Sequence, residues 1–132
     1  MEVINYQNII DKLLEKFPEY KDSPKYYDEL NKDLPYIVLG NLCLMAFEKI
    51  DEKEDHQLAE RLVKYADEIF NNFYNNHELV NLFQVEVLEN LTASRTGAQL
   101  AKKFLHDKSL DRLEQTLKHY HTDSFLEEYR KV

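Results

Sequence analysis

Apolar residues recur along this chain at helical spacing, most densely in Asn76 to Leu91, NHELVNLFQVEVLENL, where eight of the thirteen residues from Leu79 to Leu91 are apolar. They point almost all round a helix, and a helix of that kind must be surrounded by others. The pattern predicts a buried central helix over about 77–91, with the rest of the chain as amphipathic pieces wrapped round it.

Read in order, Asn5 is a candidate cap for a first helix whose Ile9, Ile10, Leu13, Leu14 and Phe17 fall on one face, and Pro18 ends it. Ser23-Pro24 is a helix start signal leading into KYYDELNKDL. Leu34-Pro35 restarts the chain into the longest uncharged run, Leu34 to Phe47. Those fourteen residues fall short of the about twenty that a bilayer requires, so they predict a core helix. Gly40 within it costs about 1 kcal/mol relative to alanine and points to close approach by a neighbouring helix or aromatic ring. The polar segment DEKEDHQ follows, with Asp51 or Asp55 as cap for the next helix, whose stripe is Leu58, Leu62, Tyr65, Ala66, Ile69, Phe70 and Phe73. Asn71, Asn72, Asn75 and Asn76 mark the turn into the central helix. Beyond it, Thr96 to Gln99 fits a capping box opening a short helix that ends near His106. Ser109 is the cap expected for LDRLEQTLKHYH, and Thr122 or Asp123 for a last helix through Phe125 and Tyr129.

The expectation is an all-α, compact multi-helix bundle of about six or seven helices, built from antiparallel helical hairpins around the central helix, with residues 1–132 as one domain. Composition agrees: two glycines and three prolines disfavour the turn-rich sandwich and barrel folds. At this length and 43% apolar content the chain can bury about two thirds of its unfolded surface without metals or disulfides. The single cysteine, Cys43, sits in an apolar run and reads as a small buried hydrophobe. The N-terminus MEVINYQNII lacks the basic flank and apolar core of a signal peptide, so a cytoplasmic protein is expected, with no membrane association.

A formal charge of −8 disfavours direct nucleic-acid binding and favours basic partners. Nine tyrosines supply amphipathic rings of the sort found at interface hot spots. Two patches combine such features as protein-binding candidates: Tyr26, Tyr27, Asp28 and Glu29, and the acidic run Asp51, Glu52, Glu54 and Asp55. The alternative for each is plain, an inward-packed tyrosine or a solvated loop.

Catalytic and metal signatures are missing: there is no Glu-x-x-His, H-E-x-x-H, C-x-x-C, G-x-G-x-x-G or phosphate-binding loop. Asp51 to Asp55 lacks the glycine and spacing of a calcium loop. His119, His121 and Asp123 bring two imidazoles and a carboxylate within five residues, but histidines two apart do not share a helix face and further ligands are lacking. No cofactor, no metal and no enzymatic activity are expected.

Two resemblances add to this reading. Arg112 and His119 lie seven apart on one helix face, with Tyr120 following, and this resembles the R-x(4–6)-H motif of the higher eukaryote and prokaryote nucleotide-binding superfamily. It implies a metal-independent ribonuclease using Arg112 and His119. The run Glu78-Leu79-Val80-Asn81, Val85, Leu88-Glu89-Asn90-Leu91 resembles an uncharacterised family of small bacterial all-helical domains, some of toxin-immunity type. That implies a helical, non-enzymatic domain and assigns no site. Together with the acidic charge it favours an acidic protein-binding domain, an immunity-type inhibitor of a basic toxin, with the ribonuclease and a regulatory or scaffold role as alternatives.

Overall fold

The computed structural model describes residues 3–27, 33–118 and 123–130. Among them there is no strand, and seven α-helical stretches of seven residues or more pack into a bundle, as the periodicity predicts. No helix among the described residues is long and apolar enough to cross a membrane.

Helix α1 (Ile9–Lys16) buries Ile9 and Leu13. It starts later than a cap at Asn5 implies, because Asn5 and Asn8 clasp each other first. Each backbone N–H donates to the other's side-chain oxygen, at 2.9 and 3.0 Å. Pro18 stops α1 and opens a 3₁₀ turn (Pro18–Asp22), and a second (Pro24–Tyr27) follows Ser23. Arg61 ties this corner to the bundle by donating to Glu19 at 2.6 and 3.2 Å and to the Lys16 carbonyl at 2.6 Å.

Pro35 sits at the first position of α2 (Pro35–Phe47), where its missing N–H removes no helical bond. Lys49 in left-handed geometry then turns the chain into a 3₁₀ turn (Ile50–Glu52). The stripe on α3 (Gln57–Asn72) faces inward as expected, and Leu62, Tyr65, Ala66, Ile69 and Phe70 are buried. Tyr65 makes edge contacts with Phe17 and Phe83, both at 5.8 Å between ring centres, so one aromatic chain links the end of α1, α3 and the central helix.

The central helix begins at α4 (His77–Phe83), capped by the Asn76 side chain, which accepts from Leu79 N–H at 3.2 Å. It continues through a π-helical turn (Gln84–Leu88), where Glu89 N–H reaches five residues back to the Gln84 carbonyl, and ends in one short α turn, α5 (Glu89–Leu91). Leu79, Val80, Leu82, Phe83, Val87, Leu88 and Leu91 are fully buried. The burial is not all-round, however: Val85 is 40% exposed, on the side of Glu78 and Asn81.

Helix α6 (Arg95–Phe104) is capped by Ser94, whose Oγ accepts from Gly97 N–H at 2.9 Å, rather than by the expected Thr96. Helix α7 (Lys108–Leu117) starts one residue before Ser109, which is buried inside its first turn. Helix α8 (Asp123–Arg130) buries Phe125 and packs on α6, while α7 packs on α3 and the π turn.

Candidate protein-binding surface

The acidic run after α2 divides into two roles. Asp51 Oδ1 accepts from Thr96 N–H at 2.8 Å and from the Thr96 hydroxyl at 2.7 Å, and Oδ2 accepts from Arg95 N–H at 3.3 Å. A side chain expected to cap the next helix thus caps α6, 44 residues further on. Burial raises the Asp51 carboxyl, but the Thr96 and Arg95 donors and the Arg95 charge outweigh it and hold the group below its usual value. Asp55 keeps the expected local duty, accepting from Gln57 N–H at 3.0 Å at the start of α3. Glu52 and Glu54 are exposed.

The tyrosine patch is less open than its sequence suggests. Tyr26 is half-buried, packed edge-on against Tyr20 at 6.0 Å, and Tyr20 in turn accepts from the Asn41 side chain at 3.1 Å. The Tyr27 side chain, Asp28 and Glu29 lie outside the described residues.

A surface that the sequence did not single out lies along the seam between α2 and the central helix. Gly40 faces Glu86 there: a Cβ at Gly40 would stand 2.9 Å from Glu86 Oε2. The close approach expected at this glycine is real, and what approaches is a carboxylate from the π turn. Ile37 and Leu44, one turn to either side of Gly40, are 37% and 46% exposed. On the facing helix, Glu78 and Val85 are exposed, and Glu89, just past the π turn, is half-buried. Burial first, then the Glu89 charge, pushes the Glu86 carboxyl above its ordinary value, and burial does the same to Glu89. Tyr36 beside them is raised by burial and by the charges of Tyr6, Glu86 and Glu78. Among the described residues none of these three glutamates forms an ion pair. At its Leu44 end the seam opens into a groove of about 340 Å³, lined among others by Phe47, Ile50, Asp51, Asn90 and Ser94.

Because its folded pKa is raised, Glu86 binds its proton more tightly in the native state. Its ionisation therefore removes stability as pH rises from the ordinary glutamate value through the raised one. Glu86→Gln is expected to raise the urea midpoint at pH 7, by less than about 1 kcal/mol for a half-exposed group, with the gain gone below the ordinary glutamate value. A midpoint lowered at pH 7 would show that the carboxylate holds a favourable partner.

Two other polar clusters are structural in their geometry. Asp67 on α3 accepts from Ser109 Oγ and pairs with His106 Nδ1 at 2.9 Å. Serine, aspartate and histidine thus meet, but the hydroxyl bonds to the carboxylate instead of to the imidazole, and it is fully buried. Arg112 lies over the Tyr74 ring at 6.0 Å, donates to the Gln115 side chain at 3.3 Å, and has a buried Nε without a partner. His119, its expected counterpart, and His121 lie outside the described residues, and α7 ends at Leu117 before them. Cys43 is buried and free, and burial, then the nearby Glu86 charge, raises its thiol well above the ordinary range.

No curated protein and no solved structure matches this chain. A family described as a domain of unknown function, DUF7674, matches residues 10–121, from α1 across the whole seam and through α7. The chain belongs to the DUF7674 family.

Proposed function

We propose that this domain acts by binding a basic protein, without catalysis of its own, and most concretely as an immunity-type inhibitor of a basic bacterial toxin. The observation that carries the reading is the α2 seam, where exposed Ile37, Leu44 and Val85 accompany three carboxylates that form no ion pair among the described residues. Apolar side chains flanked by unpaired charge of one sign are the ingredients of a selective interface. The net charge of −8 supports it, since a toxin acting on nucleic acid needs a basic cleft that an acidic surface can obstruct after steered association.

The tagged domain is expected to capture from its host a basic protein whose affinity falls about tenfold or more between roughly 0.05 and 0.5 M salt. Co-expression of the domain should abolish that protein's toxicity. A basic partner without toxicity would retain binding and remove the immunity role. RNA cleavage by the purified domain, lost in Arg112→Ala, would replace the proposal with the ribonuclease.

A further inference from the structure

The seam has an apolar half and an acidic half running side by side over a defined length. Glu78 and Glu89 lie eleven positions apart, about three turns of the central helix. Glu86 faces Gly40, with Ile37 and Leu44 one turn to either side of that glycine on α2, and exposed Val85 directly precedes Glu86 on the central helix. The groove at the Leu44 end has an apolar wall of Leu44, Phe47 and Ile50 and a net-acidic rim in which Glu48, Asp51 and Glu52 outnumber Lys49.

We infer that this seam receives an amphipathic α-helix of the basic partner, about three turns long. Its apolar side chains cover Ile37, Leu44 and Val85, and its lysine or arginine side chains meet Glu78, Glu86 and Glu89. The inference rests on the protein-binding reading above and names the element of the partner that docks. A helix fits because the seam is a trough between two helices, and no strand edge exists among the described residues for an extended peptide to join. A basic helix fits because the three glutamates have no cation among the described residues, and a half-buried carboxylate gains most from one. A second copy of this chain, docking through the same patch about a two-fold axis, would set these glutamates against one another. An anionic membrane meets the same repulsion.

The full chain, isotope-labelled, can be titrated with a synthetic amphipathic peptide of about 18 residues made of leucine, alanine and lysine, and with a control carrying glutamate for lysine. The lysine peptide should shift the amide resonances of Ile37, Gly40, Leu44, Val85 and Glu86, and the glutamate peptide should not. Binding should weaken about tenfold in the double variant Glu86→Gln, Glu89→Gln and again in Ile37→Ser, Leu44→Ser. These side chains are at least partly exposed, and a cooperative thermal melt no lower than that of the wild type checks that the variants stay folded. Shifts confined to other surfaces, or equal binding by the variants, overturn the docking face. A concentration-dependent dimer abolished by Leu44→Ser gives the seam to a second copy and overturns it as well. A captured basic partner that binds wild type and seam variants alike overturns the docking face while the protein-binding reading stands.

Discussion

Gly97→Ala should destabilise the fold by about 3 kcal/mol or more, although alanine is the better helix former by about 1 kcal/mol. A Cβ at Gly97 would overlap the Leu91 carbonyl oxygen and come within 2.9 Å of both its carbon and Ser94 Oγ. These are backbone atoms and the capping hydroxyl, held where the central helix ends and α6 begins, so nothing at the corner can swing aside. Gly40→Ala is the internal control. The obstruction there is the far end of the flexible Glu86 side chain, and the gain in helix propensity should offset the shift to within about 1 kcal/mol. Urea unfolding of both variants separates the cases; similar midpoints for the two would show that the α5–α6 corner relaxes freely.

Asp67→Ala is expected to cost about 3 kcal/mol, a large share of the stability of a domain this size. The residue is 7% exposed, and its carboxylate accepts from Asn71 Nδ2 at 3.0 Å, His106 N–H at 3.1 Å and the Ser109 hydroxyl, while pairing with His106. Removing it strips the Ser109 hydroxyl and the His106 N–H of their carboxylate acceptor and leaves them only the weaker bonds to each other and to the His106 carbonyl. The network also holds an unfavourable backbone: Asp107, between those partners, has φ 51° and ψ −116°, a region ordinarily left to glycine. Asn71 clamps the far side by accepting from Lys108 N–H at 2.9 Å. Asp67→Asn keeps one carbonyl acceptor and should cost less than half as much. Amide exchange offers the decisive readout, since the loss should speed exchange at His106 and through the first turn of α7. Protection unchanged there in Asp67→Ala would mean that packing alone holds α7 against α3.

The partition of these features between chain and fold follows the range over which each is decided. Helical segments were legible because period, caps and prolines act within a few residues: Pro18 and Pro35 set boundaries, Asn76 caps the central helix, and the α3 stripe faces the core. The close approach at Gly40 was legible too, though the carboxylate that makes it was not. Where capping depends on a partner far along the chain, local reading assigned the wrong residue, as with Asp51 serving α6 and Thr96 yielding its place to Ser94. Asp67 carries no signal of its own in the sequence, because its partners His106 and Ser109 lie 39 and 42 residues away. The candidate surface divides the same way. Of the acids expected at an interface, Asp51 and Asp55 serve helix starts, whereas Glu78, Glu86 and Glu89 become a surface only when α2 packs across the π turn. The sequence by itself determined the helices and the faces that must be buried, since side-chain spacing and local hydrogen bonds suffice for that. Tertiary packing alone decided which carboxylates are enclosed, paired or left facing outward, because burial and charge pairing are properties of neighbours in space.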